Sequence, residues 1–295
     1  MKRRRKLMSD DVAQIDVIID GEAGDPPIVL LPSSLRDSED FDELAVLLQS
    51  AGWHVLRPQP RGMGRSSPPP AGMTLETLAD DVARVITHLA RGPAVVVGHA
   101  YGHWIARITD LRHPQLVRGV VLLGAAAQQF PPGMADALAI ASDLQRDEEE
   151  RLQALRICMF APGNDPRSWL QGWYPQWRVS YRQASQHPSR DQWFDRGHAP
   201  ILDLQGMDDP WRPPATRQEI AHALGAKVTV QEIANASHAL VPEQPLAIAR
   251  AITAWAGPLY NPNECERPKP LTSSWTLQPI SRSGVRSSSS ANSGA

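Results

Sequence analysis

The segment GHAYG, residues 98–102, follows a run of valines and leads into a helical stretch. Glycines two places before and two places after a central residue let a strand and a helix pack tightly around a strained turn. Such a turn lifts one side chain towards a ligand. The chemistry it serves is acyl transfer, in which a serine oxygen attacks, a histidine takes its proton and a carboxylate orients the histidine. The central residue here is Ala100, which has no attacking atom. His99 and His103 flank the turn, yet no third ligand stands at a suitable spacing, so no metal site is expected. The glycines of RGMGRSS (61–67) lack the third glycine of a dinucleotide fingerprint, and no such cofactor is expected.

The elements that must hold this turn can be read from hydrophobic period. Strands are expected at 14–19, 27–32, 53–58, 94–99, 117–124, 200–206 and 227–233. Several are continuous Val, Ile or Leu runs, the pattern of parallel strands covered on both faces. Helical stripes fall between them at 40–52, 74–92 and 245–257. In the first, Phe41, Leu44, Leu47 and Leu48 share a face and Gly52 ends the helix. Strand–helix alternation of this kind predicts an α/β sheet with right-handed crossovers.

Between about 126 and 198 no strand pattern occurs. An acidic helix and the aromatic stretch SWLQGWYPQWRVSY mark a helical insertion, a lid over the C-terminal ends of the strands. Trp169, Trp173 and Trp177 are spaced by four, which puts them on one helical face if Pro175 lies near an end. They pack the insertion onto the core, contact a ligand, or do both. The first 11 residues are basic and read as a flexible terminus without the apolar stretch of a secretory signal. From 258 the chain turns rich in Pro and Ser, and disorder is expected after about 265, with Trp275 a candidate to dock back.

Composition narrows the functional classes. The chain has 295 residues, a net charge of −2 and 42% hydrophobic residues. That balance argues against nucleic acid as the main partner. No stretch approaches the ~18 apolar residues that would span a membrane. The two cysteines, Cys158 and Cys265, suit a reducing compartment and hence a cytoplasmic location. A small-molecule substrate or ligand remains; the oligomeric state is not legible.

Four blocks, in order, resemble the α/β-hydrolase family over about residues 12–257. GHAYG (98–102) is similar to the family's G-x-S-x-G. RPQPRGMGRSSPP (57–69) is similar to D-x-R-G-x-G-x-S, with Gln59 in place of the acid. LQGMDDPWRPP (204–214) is similar to G-x-x-D-x-x-x-P, and IANASHALVPEQP (233–245) to G-x-G-H-x-x-x-x-E-x-P. The resemblance implies a mostly parallel sheet of about eight strands with helices on both faces. It puts Asp209 in the acid position, with Asp208 as a neighbour, and His238 in the base position, 29 residues later. The family's oxyanion loop aligns with Pro32, Ser33, Ser34 and Leu35, so the backbone amides of Ser34 and Tyr101 are its candidate donors. Ser33 and Ser34 also bring hydroxyls near the site. His99 is expected to be structural. His103, where the family often has Gly, adds bulk and a polar group near the pocket.

Three explanations fit Ala100: a Ser→Ala variant of a serine hydrolase, a ligand-binding pseudoenzyme, or an enzyme whose chemistry needs the His238–Asp209 dyad but no serine. In a serine enzyme, loss of the nucleophile costs about 10⁶ in turnover. A positioned base by itself supplies about 10²–10⁴, enough for an acidic substrate or for direct attack by water. The expected activity is that of a hydrolase on a small ester, lactone, epoxide or carbon–carbon bond.

Overall fold

The computed structural model describes residues 3–260 together with Pro268, Lys269 and Leu271. Eight strands form one sheet: β1 (Arg4–Ser9), β2 (Gln14–Asp20), β3 (Pro27–Leu31), β4 (His54–Pro58), β5 (Ala94–His99), β6 (Val117–Leu123), β7 (Ile201–Gly206) and β8 (Val228–Ile233). Their order is β1-β2-β4-β3-β5-β6-β7-β8. β1 and β2 pair antiparallel, β2 runs antiparallel to β4, and the remaining pairs are parallel.

The apolar runs become strands because both faces of the sheet are covered. In β5, Ala94 and Val96 point into a core shared with α2 (Leu75–Leu89) and α3 (Tyr101–Arg112). Val95 and Val97 point into the opposite core, against α1 (Asp42–Ser50) and α9 (Pro245–Ala256). All six residues of β5 are buried. α2 opens on a reciprocal cap: Thr74 Oγ1 accepts from Thr77 N, and Thr77 Oγ1 accepts from Thr74 N, each at 3.2 Å. That satisfies two backbone donors left over at a helix start.

Between β6 and β7 lie α4 (Met134–Ala141), α5 (Glu148–Cys158), α6 (Arg178–Ala184) and short 3₁₀ turns. The three tryptophans do not share a helical face. Trp169 ends one 3₁₀ turn and Trp177 ends another that starts at Pro175. Between them Trp173 makes an isolated β-bridge with Arg36. Two further helices, α7 (Glu219–Leu224) and α8 (Leu240–Glu243), flank β8. No helix among the described residues is long and apolar enough to cross a membrane.

The termini depart from expectation. Residues 4–9 are not a loose tail: Arg4 to Ser9 pair in register with Ile19 to Gln14. An edge strand needs only backbone partners on one side, and charged side chains are what keeps such an edge from pairing with another chain. Its basic sequence therefore looks like a solvated tail while its backbone completes the sheet. At the other end, the core does not stop at 257. Tyr260 is 2% exposed, stacks edge-on against Trp53 at 5.6 Å and donates to Pro27 O at 2.7 Å. Leu271 is buried in the same core, and Lys269 N donates to Ala51 O at 2.6 Å. Cys265 and Trp275 lie outside the described residues.

Tyr260→Ala should therefore destabilise the protein by about 3–5 kcal/mol, the cost of emptying a buried aromatic site. Urea denaturation of the variant and the parent measures it. A change within about 0.5 kcal/mol would put the segment after Ala256 outside the core.

Candidate active site

The turn between β5 and α3 is built on contacts that exclude side chains. A Cβ on Gly98 would stand 2.2 Å from the carbonyl oxygen of Gly102 and 2.4 Å from His103 N. A Cβ on Gly102 would stand 2.3 Å from Leu31 O, so the start of α3 rests directly on the end of β3. That contact sets the loop Pro32–Leu35 beside the turn. Between the glycines Ala100 has φ 46° and ψ −114°, a conformation that costs a residue with a Cβ about 1–3 kcal/mol. Its amide donates to Leu123 O at 2.9 Å, which fixes the turn to β6. Ala100 is buried, 8% exposed.

Asp209 and His238 come from the ends of β7 and β8, and the fold brings them together. His238 Nδ1 lies 3.0 Å from Asp209 Oδ2. The other carboxylate oxygen, Oδ1, accepts from Trp211 N at 2.8 Å. Both side chains are buried, at 6% and 0% exposure. Asp208, by contrast, is exposed. Because the carboxylate accepts, Nδ1 carries a proton, and in the neutral ring Nε2 has a free lone pair. No described residue bonds to that nitrogen. The Trp211 ring lies 5.3 Å from the His238 ring, tilted by 33°.

The neighbouring histidines have other roles. His99 Nε2 donates to the carbonyl of His238 at 2.7 Å, holding the base loop to the end of β5. Burial lowers its pKa to about 3, so it stays neutral. His103 is not among the described residues that border the cleft beside Ser34 and Tyr101. It is buried behind the turn with Nδ1 bonded to Ala100 O, and burial pushes its pKa well below the usual histidine value. Its bulk fills the space behind the turn instead of the pocket. No group of three or more His, Cys, Asp or Glu residues that could hold a metal occurs among the described residues.

A cleft of about 430 Å³, within the usual size range of small-molecule sites, is bordered by Ser34, Tyr101 and Trp211, the last of which lies beside the His238 ring. Trp104, Trp173 and residues of α4 and α6 also line it. Ser33 does not face it. That residue borders a separate space of about 40 Å³ with Gln59 and Arg61, too small for more than a water or two. Gln59, where the family pattern has an acid, serves the framework: its Oε1 accepts from Ser38 N at 3.0 Å. A residue with no assigned role in the sequence reading is Glu243. It accepts from Ser237 N, Ala161 N and Asn164 Nδ2, each at 2.7 Å, and so ties the base loop to the insertion. Its place in the E-x-P end of the fourth block was the available signal.

The model of the α/β hydrolase fold matches residues 26–154. A thermophilic esterase from Thermogutta terrifontis superposes with a TM-score of 0.70 at 20% identity, covering 88% of this chain and 100% of that one. The chain has the α/β-hydrolase fold. Among curated proteins, the sn-1-specific diacylglycerol lipase ABHD11 of Danio rerio is 24% identical over 268 residues, 82% of this chain and 81% of that protein. The rhodomycin D methylesterase DnrP of Streptomyces peucetius is 26% identical over 278 residues, 79% and 90% of the two chains. The relatives of this α/β-hydrolase-fold protein thus include hydrolases of ester bonds.

Within the α/β-hydrolase fold, the turn glycines are dictated by sterics and Ala100 is not. Gly98→Ala should cost about 3 kcal/mol or more, because the clash is with backbone that cannot swing away. Ala100→Gly should change stability by less than about 1 kcal/mol. Relief of the positive φ offsets a lost methyl and a floppier unfolded chain. Denaturant titration of the two variants decides. Equal losses would mean that the turn is not held as described.

His99 adds a pH dependence whose sign is fixed by its depressed pKa. In the unfolded chain it binds a proton near pH 6.5; in the folded chain it does so only near pH 3. Its contribution to stability is complete above pH 6.5 and is lost as pH falls towards 3. Asp203, buried in β7 and raised to about 6, works the other way, losing stability as pH rises through 6. Comparing His99→Gln with the parent cancels that term. The variant keeps an N–H donor and should lose less stability between pH 6.5 and 4.5. Parallel pH profiles would contradict the neutral, buried His99.

Proposed function

We propose that this chain is an enzyme of the hydrolase class. In this reading His238, oriented by Asp209, acts as a general base on a small organic molecule in the cleft, without a covalent serine intermediate. The observation that carries the reading is the buried His238–Asp209 pair, whose outward nitrogen has no partner among the described residues. Neutral His238 takes a proton on Nε2 from a water molecule, and the water oxygen attacks an ester, lactone or epoxide carbon; the C–O bond to the leaving oxygen breaks, and the imidazolium returns the proton to that oxygen. The Asp209 carboxylate stabilises the imidazolium that forms. The amides of Ser34 and Tyr101 are the proposed donors to the developing oxyanion, and α4 to α6 the proposed lid. A substrate with an acidic proton, such as one cleaved at a carbon–carbon bond, would be served by the same base. The relatives named above, a lipase and a methylesterase, support the substrate class.

A ligand-binding protein without turnover is the second reading, and Ala100 favours it. The test starts from a panel of esters, lactones, epoxides and acidic heteroaromatics. With a substrate in hand, His238→Ala should abolish turnover. Asp209→Asn should lower it by about 10²–10⁴, since the amide disturbs the tautomer and removes the charge. The parent should stay unlabelled by a fluorophosphonate probe, whereas Ala100→Ser should label. Strong labelling of the parent at Ser33 or Ser34 would overturn the base mechanism. A ligand that binds tightly, is never converted and is indifferent to His238→Ala would make the chain a binding protein.

A further inference from the structure

One face of α6 lines the cleft. Arg178, Tyr181, Arg182 and Ser185 are spaced i, i+3, i+4 and i+7, and all four border the same space. Two arginines one turn apart on a helix repel each other, a cost that a shared anion would remove. Two buried arginines of the framework pair closely with carboxylates: Arg57 meets Asp20 and Asp42, and Arg61 meets Asp81. Arg178 and Arg182 have no ion-pair partner among the described residues. Arg178 donates to Ser142 Oγ at 2.7 Å, a neutral group also on the cleft wall, and so is held facing the cavity. Among the described residues no aspartate or glutamate lines the cleft, although the chain as a whole carries a net charge of −2. Much of the remaining lining is apolar or aromatic, with Leu35 and Leu138 beside the rings of Trp104, Trp173 and Trp211.

We infer that Arg178 and Arg182 form the anion-recognition end of the cleft, and that its ligand is a small organic acid with an apolar or aromatic body. The inference rests on the cleft being the substrate site proposed above. A carboxylate on the ligand would take up the two guanidiniums, with their fixed fork of donors, while its ring packs on the indoles and its reacting group lies towards Ser34, Tyr101 and the dyad.

The test is direct binding, measured by calorimetry, so that it does not depend on turnover. Phenylacetate is the anionic probe and phenylacetamide its neutral counterpart. Phenylacetate should bind about 10-fold more tightly or better, in line with charge-assisted hydrogen bonds. Arg178→Gln/Arg182→Gln should abolish that preference and leave phenylacetamide within about twofold. Arg178→Lys/Arg182→Lys should keep most of it, which separates charge from mere folding. Equal affinity of the parent for the two probes, no detectable binding of phenylacetate, or an unchanged preference in the glutamine variant would overturn the inference. His238→Ala should bind phenylacetate like the parent. Should turnover survive His238→Ala while the arginine variants lose the preference, the base mechanism falls and the anion site stands.

Discussion

Everything in the site depends on one close passage of backbone. At the start of α3 the chain runs so near to β3 and to its own strand that Gly98 and Gly102 have no room for a Cβ. That passage aims the first turn of α3 at the cleft and sets Ser34 beside Tyr101. It also forces the residue between the glycines to φ 46°. A glycine at 100 would relieve the strain, yet a methyl stands there. The strained turn thus presents a side chain that has no attacking atom.

The same economy of space governs charge. Three histidines crowd the turn, but burial keeps His99 and His103 uncharged, and each is fixed by a backbone carbonyl. Only His238 is matched with a carboxylate. Its ring therefore has a set tautomer and an open nitrogen, the state in which imidazole can accept a proton.

The insertion between β6 and β7 is attached to this chemistry at two places. Arg36, from the loop after β3, lies between Trp169 and Trp173, 4.4 and 4.7 Å from the ring centres, and is paired with Asp40. Its Nη1 donates to Gln171 O at 2.6 Å. Glu243 makes the corresponding link from the base loop to Ala161 and Asn164. A shift of the insertion would therefore be felt at the loop of Ser34 and at His238 together. The insertion and the loop after β3 both border the cleft.

The sequence by itself determined the parallel core. Runs such as AVVVGH have no polar alternation, and only a strand buried on both faces tolerates that. It also determined the turn, because paired glycines at fixed spacing answer a local steric demand, and it placed Asp209 and His238 through the blocks around them. Tertiary structure decided what depends on partners distant in the chain. β1 was hidden because an edge strand is held by backbone pairing, which basic side chains do not reveal. Tyr260 looked like the start of a tail until Trp53 and Pro27 were found beneath it. The tryptophans at 169, 173 and 177 share a spacing but not a helix, since Arg36, far away in sequence, sets where two of them point. That Arg178 and Arg182 border a cleft lined by no carboxylate among the described residues is a property of the space between segments, which no single stretch of sequence contains.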